Sequence, residues 1–134
     1  MSPRHRGRVV TCTPAECRTR RDQARAFLEV ADLVLTEDRR EAHVAAALAV
    51  LAGIAAADAV CGLSLGKWSR GQDHHQAVDL LAEVALRDDT LPSKLRRLLA
   101  DKDAAHYSST LITLDKARAM VRQAAALLAE ADLK

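Results

Sequence analysis

At 134 residues the chain has room for one domain with a real core, and a formal charge of only +2 gives no global argument for a nucleic-acid binder. Apolar residues make up 49% but aromatics only 2% (Phe27, Trp68 and Tyr107), so the core is aliphatic and alanine-rich, which suits closely packed helices. Strand signals are nearly absent, with no long period-two run, and the expected class is all-α.

The chain opens on a basic arm, residues 1–12. Arg4, Arg6, Arg8, Arg18, Arg20, Arg21 and Arg25 crowd the first 25 residues against Glu16 and Asp22 alone. Such a stretch can meet phosphate, but a solvated, flexible tail is the plainer expectation. MSPRHRGRVVTCT lacks the apolar core of a signal peptide. Cys12, Cys17 and Cys61 form no spacing framework, which fits a reducing cytoplasm.

Residues 13–134 read as a single helical domain. Thr13-Pro14-Ala15-Glu16 is a helix start, with a capping threonine, a proline at the first helical position and a glutamate to complete the box. The first helix runs to about Leu35 with Cys17, Ala24, Phe27, Leu28, Ala31, Val34 and Leu35 as its stripe. After a polar turn, Glu41 to Leu65 forms the helix around which the others must pack. Val44 to Ala57 holds no polar side chain, alanine dominates, and Val44, Leu48, Leu51, Ile54, Cys61 and Leu65 recur at helical steps. A membrane span is the rival, because such a span needs roughly 20 apolar residues. Asp58, the weak hydrophobicity of alanine and the lack of a second such segment favour a core helix and no membrane.

Gly66 to Gln72 is then a loop, Asp73 a plausible cap, and His74 to about Leu86 the third helix. Arg87 to Thr90 turns into a fourth helix opened by Leu91-Pro92-Ser93, with Asp101 to Tyr107 as its extension. Ser108-Ser109-Thr110 breaks the pattern, and Thr113 caps a last helix whose seam is Leu114, Ala117, Val121, Ala124 and Leu128. About five helices joined by short turns predict an antiparallel up-and-down bundle, with no internal repeat and no linker.

Two polar knots interrupt the bundle. In Lys102-Asp103-Ala104-Ala105-His106-Tyr107, helical spacing puts Lys102 beside His106 and Asp103 beside Tyr107. A cation next to an imidazole suits phosphodiester chemistry, where one holds the phosphate and the other moves the proton. The plain alternative is a histidine closing a helix end. In Arg70-Gly71-Gln72-Asp73-His74-His75, the histidines fall in a first helical turn, whose free N–H groups favour anions; the plain alternative is a polar loop with an N-cap.

An all-helical domain with leucines leading into K-D-x-x-H-Y before the final amphipathic helix resembles the HEPN superfamily, over roughly residues 15 to 132. The resemblance implies a helical bundle that dimerises. Many such proteins are metal-independent ribonucleases of toxin–antitoxin, defence or RNA-processing systems; others have lost catalysis and bind RNA, nucleotides or a cognate partner protein. Carried over, the family histidine falls on His106, the polar position on Asp103 and the tyrosine on Tyr107. Lys102 stands where the family has arginine, with three rather than four residues before the histidine. Lysine is a point charge and cannot make the bidentate fork of arginine on a phosphate. Arg70 and His75 have the better spacing, but Gly71 occupies the polar place. The resemblance therefore implies a homodimeric binding module, with Lys102, Asp103, His106 and Tyr107 as the catalytic set of the ribonuclease alternative. Arg70, Gln72, Asp73, His74 and His75 are the candidate substrate-binding set.

No metal or cofactor is expected. A di-iron bundle needs two Glu-x-x-His motifs and the chain offers only Asp103-x-x-His106. No zinc spacing, phosphate loop, nucleophile elbow or basic recognition helix is present.

Overall fold

The structure, a computed structural model, describes residues 8–71, 74–86 and 88–134. The first helix, α1 (Pro14–Val34), starts where its capping residues dictate. Thr13 Oγ1 accepts the Glu16 amide at 3.1 Å and Glu16 Oε1 accepts the Thr13 amide at 2.8 Å, with Pro14 entering the first turn. Cys17, Ala24, Leu28 and Ala31 are buried, while Phe27, Val34 and Leu35 are partly covered.

The second helix, α2 (Arg39–Leu65), opens two residues before the expected Glu41, because the Asp38 carboxylate takes the amides of Arg40 and Glu41 at 2.8 and 3.3 Å. It ends at Gly66, whose φ of 72° is left-handed and whose N–H returns to the Gly62 carbonyl. This helix packs against each of the other five. Ala42, Ala45, Ala46, Ala49, Ala52, Ala55, Ala56, Ala57 and Ala59 are all 0–1% exposed. At Gly53 an added Cβ would collide with Leu98 Cδ1. Of the larger residues at helical steps, Ile54 and Cys61 are buried and Leu48 and Leu65 partly so, whereas Val44 is 47% and Leu51 36% exposed. Small side chains take most of the contact lines because they let backbones approach; Val50, Ile54 and Val60 are buried among them, and Val44 and Leu51 lie on the outer seam. α2 is long and apolar enough to cross a bilayer, yet 78% of its most apolar stretch is covered by the rest of the protein.

A small antiparallel sheet corrects the purely helical expectation. Strands β1 (Val9–Thr11) and β2 (Lys67–Ser69) pair Val9 with Ser69, Val10 with Trp68 and Thr11 with Lys67. The Cys12 amide to the Gly66 carbonyl (3.1 Å) and the Arg70 amide to the Arg8 carbonyl (2.7 Å) extend the ribbon. Three-residue strands are too short for an alternation to register, since about four residues are needed. Residues 9–11 of the basic arm are therefore paired; residues 1–7 lie outside the described part.

Among the described residues there are six helices, not five. α3 (His75–Ala85) and α4 (Thr90–Ala100) pack on each other and on α2. The expected cap Asp73 lies outside the described residues, as do Gln72 and Arg87. At Asp101 the chain breaks, and Lys102–His106 forms a separate short helix, α5, rather than an extension of α4. α6 (Leu114–Asp132) starts at Thr113, whose hydroxyl accepts the Lys116 amide at 3.2 Å, and buries Ala117, Val121, Ala124 and Leu128 as expected, with Met120 and Leu127 beside them.

The Gly53–Leu98 contact gives a packing test. Leu98→Ala should cost about 3 kcal/mol, the usual range for a fully buried leucine. Adding Gly53→Ala places a methyl where Leu98 Cδ1 had been and improves helix propensity by about 1 kcal/mol. Urea denaturation of the double variant should show recovery of about 1 kcal/mol or more over Leu98→Ala; no recovery would mean the two side chains do not compete for that space.

Candidate functional site

Asp58 is the one charged side chain in the apolar stretch of α2, and it is only 5% exposed. A buried carboxylate needs a partner. Arg20, one face away on α1, supplies it: its Nε donates to Asp58 Oδ2 at 3.0 Å, while its Nη1 donates to Gln23 Oε1 at 3.0 Å. Helices α1 and α2 run antiparallel here, with Arg20 opposite Asp58 and Cys17 opposite Gly62.

The ribbon adds the third side. β2 presents Trp68, 6% exposed, and Arg70, the first residue after the strand, holds its guanidinium carbon 5.4 Å from the centre of the indole, a cation–π arrangement. A groove of about 450 Å³ lies between α1 and β2, lined by Ala15, Glu16, Thr19, Arg20, Gln23, Trp68 and Arg70. Behind it a smaller cavity of about 110 Å³ reaches Asp58, with Arg20, Arg70, Ser69, Gly71 and His74 in its wall. The two spaces share both arginines. Glu16 adds a second carboxylate at the groove, turned toward the Thr13 amide by the capping box.

Burial dominates the titration of Asp58 and pushes it from 3.8 up to about 6; the charge of Arg20, its hydrogen bond, and the charge of Arg70 pull in the opposite direction. Near neutrality the groove thus holds two fixed cations against a carboxylate that protonates within reach of ordinary pH.

The candidate residues from the sequence divide between two places. Arg70 and His74 meet at Asp58, and His75, exposed, begins α3 beside them. The other knot lies on α5. His106 Nε2 is 3.1 Å from the Ala47 carbonyl, and since a carbonyl only accepts, Nε2 donates. One turn earlier on α2, His43 Nδ1 accepts the Ile112 amide at 2.9 Å. The two imidazoles fasten residues 106–112 to α2. Asp103 and Tyr107 are exposed, Tyr107 by 74%, Lys102 is partly buried, and the His106 and Tyr107 rings stand 5.9 Å apart. Ala47 and Asp58 are eleven residues apart, about 16 Å along the helix axis, so the knots are separate. The cavity that holds Arg70 and His74 contains no α5 residue.

Sequence reading missed Arg20, Asp58 and Trp68 as one site. Asp58 was visible as a lone acid in an apolar run, but its partner stands 38 positions away and only the helix pairing joins them. Among the described residues no cluster of three or more histidine, cysteine or acidic side chains could hold a metal ion.

No protein-family model matches the chain, and no curated protein matches it.

The titration of Asp58 sets a stability profile. Its folded value lies above the unfolded one, so the folded state binds this proton more tightly. Its contribution is fully present below about pH 4 and is lost as pH rises through about 6. Two pKa units correspond to about 3 kcal/mol. Asp58→Asn, which keeps an oxygen for Arg20, should match the wild type at pH 4 and exceed it by about 2–3 kcal/mol at pH 8 in urea titrations. Parallel profiles would exclude a buried ionised carboxylate.

Proposed function

We propose that this chain is a non-catalytic helical module of HEPN type, an up-and-down bundle acting in the cytoplasm as a homodimer, that binds RNA or a nucleotide at the Arg20–Trp68–Arg70 groove. The observation that carries the reading is the separation of the two polar knots. His106 spends its Nε2 proton on the Ala47 carbonyl and has neither Arg70 nor Arg20 beside it, whereas the groove pairs guanidinium groups with an indole. Arginine recognises phosphate through paired N–H donors, and a guanidinium plane also stacks on a base. A volume of about 450 Å³ suits a ligand of nucleotide size. The placement of Lys102-x-x-x-His106-Tyr107 directly before α6 supports the family reading, and Val30, Leu33, Val44 and Leu51 leave apolar surface on α1 and α2 for a second copy.

Trp68 is the only tryptophan, so its emission reports the groove directly. Titration with adenosine monophosphate and with a short single-stranded RNA should change Trp68 emission in the micromolar range. Arg70→Ala should weaken binding about tenfold or more, the loss of one charge-assisted contact. His106→Ala should bind as the wild type does, and the solution mass should be that of two chains. RNA cleavage by the wild type that His106→Ala abolishes would establish the ribonuclease alternative, with Lys102, Asp103, His106 and Tyr107 as its site. Emission unmoved by either ligand would leave a cognate protein as the partner.

A further inference from the structure

The groove is walled by α1 on one side and the β ribbon on the other, and these two elements are joined at one point by a pair of thiols. Cys12 directly precedes the N-cap Thr13, and Cys17 is the fourth residue of α1. These are the positions at which an apolar pair usually staples the incoming chain to the first turn. Here both are cysteine. Their Sγ atoms share a hydrogen bond at 3.3 Å, and both thiols are free. Gly62 of α2 is cut to fit them: a Cβ there would collide with Cys17 Sγ and stand 2.9 Å from Cys12 Sγ. Trp68 closes the same pocket, its Cε3 lying 3.3 Å from that point. Cys12 is half-buried, whereas Cys17 and Cys61 are 0% and 1% exposed.

We propose that Cys12 and Cys17 are an oxidisable dithiol, a modification site that a hydroperoxide converts to an intrachain disulfide clamping the β ribbon to the first turn of α1. Cys12 is the attacking sulfur because it is the one that solvent reaches. Its thiolate attacks the terminal oxygen of the hydroperoxide, forming an S–O bond as the O–O bond breaks; the alkoxide leaves, takes up a proton as the alcohol, and a sulfenic acid remains on Cys12. Cys17 then attacks the Cys12 sulfur and the hydroxyl leaves as water. Two S–H bonds and one O–O bond are lost, one S–S and two O–H bonds are formed (in the alcohol and in water), the sulfurs are oxidised and the peroxide is reduced. The separation of the sulfurs requires only a small closure, and the loop closed is the single turn that the capping box already fixes. Burial, with the Cys17 hydrogen bond second, pushes the Cys12 thiol up to about 12. The thiolate is therefore scarce near neutrality, so the reaction is slow and quickens about tenfold per pH unit. Cys61, also pushed up to about 12 and sealed from solvent, stays reduced.

The test uses the full chain with no nucleotide or RNA present, so it stands apart from the binding experiment. After hydrogen peroxide, denaturation and iodoacetamide, trypsin releases residues 9–18 with both cysteines. That peptide should take no label and weigh about 2 Da less than its reduced, unlabelled form, and dithiothreitol should restore two labels, as expected for a reversible disulfide. The initial rate should climb about tenfold from pH 7 to 8. Trp68 emission should fall on oxidation and recover on reduction, and the melting temperature should rise by about 5 °C from closing a short loop. Cys17→Ser should abolish the lighter peptide while keeping the wild-type circular dichroism. Two labels retained after peroxide, a stable sulfinic acid on Cys12, or a cross-link from Cys12 to Cys61 or to a second chain would each overturn the proposal.

Discussion

Along α2 the neighbouring helices meet methyl groups and hydrogens instead of branched side chains, and this closeness governs everything built around it. The alanines at 42, 45, 46, 49, 52, 55, 56, 57 and 59 are sealed from solvent, with Gly53 admitting Leu98 and Gly62 admitting two sulfurs. Each alanine buries little area, so a single contact contributes less than a leucine would. The fold compensates by letting α2 touch all five other helices, and by giving the bulky positions to its companions, Leu81, Leu95, Leu98, Met120 and Leu127. Close backbones leave small gaps and little tolerance, because a packed interior feels even one added methylene.

Placing a carboxylate in such a wall is costly, and the structure shows what compensates it. Asp58 is reached by Arg20 from α1 and by the field of Arg70 from the ribbon. These groups come from three segments far apart in sequence. The ion pair is thus also a point of convergence: it fixes α1 against α2 in register and draws the ribbon's end toward both. A buried pair is weak support for stability, since desolvation offsets the attraction. Its value lies in holding two guanidinium groups at the floor of an open groove.

Much of the frame is legible in the sequence, and the reasons differ by element. Caps are local, so Thr13, Pro14 and Glu16 announce α1, and Thr113 announces α6, to within a residue. The central role of α2 follows from a run without polar side chains. What stays hidden is non-local or too short. The β ribbon joins residues 9–11 to 67–69 and carries no periodic pattern of its own. The break between α4 and α5 falls at Asp101, where nothing in the local sequence forbids a continuing helix. Which larger residues of α2 face outward is not legible, because Val44 and Leu51 recur at the same helical steps as the buried Ile54 and Cys61 and only the neighbouring helices separate them. The polar knots were found as residue sets but not as places. His74 proves to share a cavity with Asp58, while His106, through the Ala47 carbonyl, and His43, through the Ile112 amide, tie residues 106–112 to α2.

The short ribbon also decides how the chain enters the fold. Because the Arg70 amide bonds the Arg8 carbonyl, the last hydrogen bond of the ribbon and the cation–π contact on Trp68 fall on one residue. Parting β1 from β2 would consequently free the Arg70 backbone at the rim of the groove. Six backbone positions, three on each strand, thereby hold in place a guanidinium that no helix carries.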